Sequence, residues 1–267
     1  MHTEQFSVVV DGITLWGETR GDRPDAVFLH GMGGDRHSWD RLWEELADIP
    51  AVRYDLRGFG RSGWDPEQPY DHARDLLAVL DSRGIDAADL VGVSLGGAVA
   101  LNFALAHPQR VRSLVLVSPG IVAWEWSGEW RERWRAVADA MRGGRLDEAR
   151  ERWWQHPLFE PARHSAAADE LRQSILAYSG VHWQSDPHVR ALPDMERLHQ
   201  LQAPTLLLTG LRDLPDFRLI GDVIEASVPR LRRVDFADHG HLLQIEAPRA
   251  CAREIREFWK MAPDYWV

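Results

Sequence analysis

Gly92-Val93-Ser94-Leu95-Gly96-Gly97 is the stretch that decides how this chain is read. It follows a short apolar run and precedes a helical pattern of small and apolar residues that extends to Ala106. A serine between a strand and a helix, with glycines two residues to either side, has the layout of a nucleophile elbow. In such an elbow a strained turn projects the hydroxyl, and the glycines remove side chains that would collide with neighbouring backbone. The competing structural role is a glycine-rich turn whose serine caps the helix starting at Leu95.

Apolar runs rich in Val and Leu recur on both sides of this stretch, at residues 26–29, 51–54, 90–93, 113–117, 205–208 and 231–236. Runs of four to six residues with little polar alternation suit strands buried on both faces. Helical patterns at residues 39–47, 72–82, 95–106, 217–226 and 248–259 lie among them. The alternation predicts an α/β fold: a mostly parallel central sheet flanked by helices. Residues 6–10 and 13–16, joined by Asp11-Gly12, predict an opening hairpin. From residue 120 to 202 the periodicity is helical and no convincing strand appears, so this segment reads as a helical cap, or lid, inserted into a core made of residues 1–119 and 203–267.

Composition excludes several classes. A formal net charge of −10 over 267 residues argues against a nucleic-acid binder, which needs a clustered basic face. A single lysine, Lys260, accompanies abundant arginine, a bias that points to no function. The longest apolar runs fall far short of the roughly 20 residues needed to cross a bilayer, and residues 1–5 carry no export signal. The lone cysteine, Cys251, allows no intramolecular disulfide, so a soluble, cytoplasmic protein is expected.

A serine hydroxyl is a poor nucleophile at neutral pH; a base must take its proton and an acid must orient that base. Asp213 and His241 follow Ser94 in the order serine, acid, histidine, each in a loop just past an expected strand, where parallel sheets place ligand sites. Asp216 rivals Asp213 as the acid, its other reading being the N-cap of the next helix. His239 and His241 also form an H-x-H pair beside Asp238, but nothing around them has the spacing of a zinc signature.

On these residues the chain resembles the α/β-hydrolase fold superfamily over nearly its whole length. His30-Gly31-Met32-Gly33-Gly34 looks like that family's oxyanion loop, and Asp55-Leu56-Arg57-Gly58-Phe59-Gly60-Arg61-Ser62 like its D-x-R-G-x-G-x-S segment. Gly240-His241 followed by Glu246 and Pro248 matches the family's ending and favours His241 over His239. The resemblance implies that the backbone N–H groups of Met32 and Leu95 form the oxyanion hole, that His30 and the Asp55–Ser62 segment shape loops, and that neither cofactor nor metal takes part.

The leading expectation is a serine hydrolase cleaving a small, largely apolar carboxylic ester or lactone through an acyl-enzyme on Ser94. Alternatives are a carbon–carbon bond hydrolase of aromatic ring-cleavage products, or a cofactor-free perhydrolase, with the same triad. Outside enzymology, the fold would suit a small-molecule receptor. Seven of the thirteen tryptophans fall between Trp124 and Trp183. Trp126, Trp130 and Trp134 recur every four residues on one helical face. They read as the packing face of the cap or, for Trp126 and Trp130 together with Trp124, Trp153, Trp154 and Trp183, as rings lining an apolar substrate pocket.

Overall fold

The computed structural model describes residues 1–189 and 191–261, so the end of the expected core segment, residues 262–267, lies outside the described residues. Eight strands among them form one sheet: β1 (Thr3–Val10), β2 (Ile13–Arg20), β3 (Ala26–Leu29), β4 (Ala51–Tyr54), β5 (Ala88–Val93), β6 (Val111–Val117), β7 (Thr205–Gly210) and β8 (Leu231–Phe236). Their spatial order is β1-β2-β4-β3-β5-β6-β7-β8. β1, β2 and β4 pair antiparallel, and every pairing from β4 onward is parallel. The α/β class expected from the alternation is therefore observed. The apolar runs of β3, β4 and β7 are buried at every residue, as strands covered on both faces must be.

The hairpin turns at Asp11-Gly12, both with positive φ. Its second strand runs four residues beyond the expected end, to Arg20, because β2 pairs with β4 through Gly17–Arg20. The polar residues that disguise this strand are buried with partners: Glu18 meets Arg53, and the Arg20 guanidinium donates to the carbonyls of Trp43, Leu46 and Ile49.

α1 (Asp40–Glu45), α2 (His72–Ser82) and α3 (Leu95–Ala106) accompany the first six strands. Asp71 starts α2 by accepting from Ala73 N at 2.8 Å, and the helix buries Ala73, Leu76, Val79 and Leu80 on one face. α3 is apolar nearly all round and packs on β3, β5 and β6. Between β6 and β7 lie α4 (Gly128–Arg142), α5 (Leu146–Trp154), α6 (Glu160–Arg163), α7 (Ala168–Ala177) and α8 (Val181–Gln184), with no named strand among the described residues there. α9 (Pro215–Ser227), α10 (Leu243–Glu246) and α11 (Pro248–Lys260) complete the chain, α11 turning Cys251, Ile255 and Phe258 inward.

The inserted helices meet the body where the strands end. Phe59 stacks on the rings of His182 (centroids 4.2 Å apart) and Tyr178 (5.1 Å). Arg41 pairs with Glu170, and Asn102 of α3 donates to Asp194 at 2.7 Å.

Candidate active site

Ser94 sits between β5 and α3 with φ 53° and ψ −114°. A non-glycine residue held there stores about 1 to 3 kcal/mol of strain, and the surroundings hold it. Its N–H donates to Val117 O at 3.1 Å, and its carbonyl accepts from Ala98 N at 3.0 Å and Gly120 N at 2.9 Å. The flanking glycines are required sterically: a Cβ on Gly92 would drive into the Gly96 carbonyl, and one on Gly96 into that of Leu29. The Ser94 hydroxyl makes no capping bond to α3, so the cap role is not the one it takes.

Asp213 and His241 leave neighbouring strands, β7 and β8, and meet. Asp213 Oδ2 lies 2.8 Å from His241 Nδ1, both residues buried, while Asp213 Oδ1 accepts from Leu214 N at 2.6 Å. A carboxylate only accepts, so Nδ1 carries the proton and Nε2 keeps its lone pair. The histidine loop is fixed by Glu246, whose two oxygens accept from Gly240 N (2.6 Å) and Leu242 N (3.0 Å), bracketing His241. His241 Nε2 is enclosed and bonds to no protein atom, so the structure joins His241 to Asp213 and shows no bond from it to Ser94. Catalytic hydrogen bonds commonly tighten only when substrate is bound.

Asp216 takes neither role expected for it. Leu214 is the N-cap of α9, and the Asp216 carboxylate instead reaches the insertion, accepting from Ser127 Oγ at 2.6 Å, Ser127 N at 3.0 Å and Trp124 Nε1 at 3.4 Å. Since Ser127 itself caps α4, Asp216 ties the start of that helix to the body. His239 packs edge-on against Phe236, and no cluster of three or more potential metal-binding side chains occurs among the described residues.

The oxyanion-loop residues lie beside the elbow: a Cβ on Gly31 would stand 3.4 Å from Ser94 Cβ. Neither Met32 N nor Leu95 N donates to a protein acceptor, leaving two amides for an anionic oxygen, the second at the favourable amino end of α3. His30 is buried and shapes the loop, its Nδ1 2.9 Å from Gly31 O and its Nε2 accepting from Leu56 N at 2.9 Å. Burial holds its pKa below the ordinary imidazole value. Asp55 accepts from Arg36 N and Nη1 and from Arg61 N, Ser62 Oγ donates to Asp55 O, and Arg57 forms a buried bidentate pair with Asp75. These contacts make the segment a scaffold.

With this geometry in view, the family model for the alpha/beta hydrolase fold matches residues 27–248. The chain belongs to that family. A Bacillus subtilis (strain 168) protein provisionally named 2-succinyl-6-hydroxy-2,4-cyclohexadiene-1-carboxylate synthase is 28% identical over 256 residues, spanning 87% of this chain and 89% of the relative. A 2-hydroxy-6-oxo-6-phenylhexa-2,4-dienoate hydrolase of Burkholderia cepacia is 35% identical over 108 residues, 38% of each chain. Among solved structures, a thermophilic esterase from Thermogutta terrifontis superimposes with a TM-score of 0.81 at 26% identity, over 96% of this chain and 98% of that one.

In this family member two clefts open beside the elbow. The larger, about 540 Å³, is walled by Gly31–Gly34, by Phe159, Leu171 and Ile175 of the insertion, and by Leu242, Gln244 and Ile245 after the histidine. The smaller, about 90 Å³, is walled by Met32 and Leu95 together with Tyr70, His72, His182 and His188. No tryptophan stands in either wall.

The six tryptophans expected at a pocket are therefore placed differently. Trp126 and Trp130 stack on each other (4.5 Å) and pack on Phe217, whose ring lies 4.2 Å from that of His241. Trp153 is buried against Gly33, where a Cβ would come within 2.7 Å of its Nε1, and Trp183 lies behind it at 6.1 Å. Trp154 is flanked by the Arg163 and Arg172 guanidiniums, and Trp124 is held by Asp216. Phe217 and the histidines of the smaller cleft escaped the sequence reading: an aromatic in a helix carries no mark of facing a histidine, and His72 and His182 are 110 positions apart.

Proposed function

We propose that the chain is a serine hydrolase acting on carboxylic esters or lactones, with Ser94 as nucleophile, His241 as base and acid, and Asp213 as the residue that orients it. His241 Nε2 takes the hydroxyl proton as Ser94 Oγ bonds to the carbonyl carbon. The carbonyl oxygen, now anionic, is held by Met32 N–H and Leu95 N–H, where losing one donor typically costs about 10²- to 10³-fold in rate. The bond to the alcohol oxygen then breaks and His241 returns the proton to it. Water adds to the acyl-enzyme by the same route in reverse, freeing the acid and Ser94.

The observation that carries this reading is the buried Asp213–His241 pair at 2.8 Å, with its free Nε2, in the same strand-end region as a serine held at positive φ. Helices within residues 120–202 act as a lid over the core of residues 1–119 and 203–267. Trp153 against Gly33, Pro161 against Gly240 and Ser127 on Asp216 support that role. The single cysteine, buried with its thiol pKa raised by burial, fits a cytoplasmic setting.

A second reading, hydrolysis of a carbon–carbon bond in an aromatic ring-cleavage product, is supported by the name of the Burkholderia relative. Side-by-side turnover of aryl acetates and 2-hydroxy-6-oxo-dienoates decides between them. Ester kcat/KM well above that for the dienoate is expected; the reverse ranking overturns the ester reading.

A further inference from the structure

The two clefts beside the elbow differ in size, and the proposed reaction gives each a different half of the ester. The larger contains Leu242, Gln244 and Ile245, immediately after His241; the smaller contains Leu95, Ala98 and Val99 of α3 and none of the histidine loop. Because His241 must protonate the departing oxygen, the alcohol belongs on the histidine side, and the acyl chain is left to the smaller cavity. A cavity of about 150 Å³ accommodates benzene, or about 25 Å³ per heavy atom. By that measure about 90 Å³ takes about four heavy atoms and about 540 Å³ about twenty.

The wall of the small cavity is mostly apolar, and most of its few polar groups are committed. Tyr70 donates to Asp186 at 2.8 Å, Asn102 Nδ2 donates to Asp194 and the Leu192 carbonyl, and His182 Nδ1 lies 2.7 Å from Tyr178 Oη. Two histidines keep unpaired nitrogens. His182 Nε2 is enclosed without a partner. His72, 5% exposed, has an enclosed Nδ1 without a partner and a second nitrogen that bonds no protein group. Burial, with His188 and His182 close by, holds its pKa well below the usual imidazole value, so at neutral pH it is uncharged. A neutral imidazole offers one donor and one acceptor, the complement of a hydroxyl. The His72 nitrogen that is not enclosed is the one available to a hydrogen-bonding ligand in the cavity.

We infer that this chain prefers esters of a short, hydroxylated acyl group on a bulky apolar alcohol, with the acyl hydroxyl bonded by His72. The inference rests on the serine-hydrolase reading. Decyl acetate and ethyl decanoate are isomers that exchange the long and short halves, and the purified protein should favour decyl acetate in kcat/KM by about tenfold or more. Among esters of one aryl alcohol, 3-hydroxybutanoate should exceed its near-isostere 3-methylbutanoate about fivefold, the worth of one hydrogen bond. His72→Phe should bring that ratio to about one through KM, and His72→Gln should keep part of it, each variant first shown to label with a fluorophosphonate. Equal or reversed preference for the isomers, or an unchanged acyl ratio in His72→Phe, overturns the inference and leaves the serine hydrolase standing. Absence of ester turnover overturns both.

Discussion

In the proposed mechanism His241 holds one proton on Nδ1 because the Asp213 carboxylate can only accept, and that single constraint leaves Nε2 to act as the base. Asp213→Asn tests it directly. The amide keeps the shape but donates to Nδ1, moving the ring proton to Nε2, where it blocks proton uptake from Ser94. Ester kcat should fall by about 10³- to 10⁴-fold, while Asp216→Asn, which alters only the tie to Ser127, should keep kcat within about tenfold of the parent. Equal losses in the two variants, measured with one aryl ester, would contradict the assignment. The placement of Ser94, Asp213 and His241 after strands, and the meeting of the last two, were legible because such residues are tied to chain order and to strand-end loops. Asp216 was misread because an aspartate before an apolar helix looks like a cap, whereas its partner Ser127 lies 89 positions away.

At the scale of elements, strands buried on both faces announce themselves as unbroken apolar runs, so β3 and β4 were readable residue for residue and β5, β6 and β7 to within two residues at one end. The last half of β2 was not, since Glu18 and Arg20 are buried by partners on β4 and around α1 that no local pattern reveals. The insertion was readable as helical but not in how it packs, because tryptophans at helical spacing serve a cleft wall and a helix interface equally well. Its attachment suggests a measurement. Ser127 both caps α4 and bonds Asp216, so Ser127→Ala should loosen that end of the insertion by about 1 kcal/mol. Faster hydrogen exchange confined to the start of α4 is expected; unchanged protection there would mean the tie does not hold the helix.

Across the whole molecule, burial keeps several histidines neutral. His156, 3% exposed, and His182 are each pushed down to about 4, chiefly by desolvation, and His72 is held well below its ordinary value. Their folded pKa values lie below the unfolded value of about 6.5, so between about pH 6.5 and 4 the unfolded chain binds more protons. This stability is fully present above that window and is lost as pH falls through it, at up to about 1.4 kcal/mol per pH unit for each group. Urea unfolding should therefore show a free energy lower by a few kcal/mol at pH 5 than at pH 7.5; equal values would contradict the burial of these rings as neutral species. The proposed reaction makes Ser94, held at positive φ between β5 and α3, the nucleophile. Hydrolysis of an aryl acetate by Ser94→Ala, compared with the parent protein, tests it most directly. kcat/KM should fall by about 10⁴- to 10⁶-fold with the fold intact, and full turnover by Ser94→Ala would overturn the assignment of Ser94 as nucleophile.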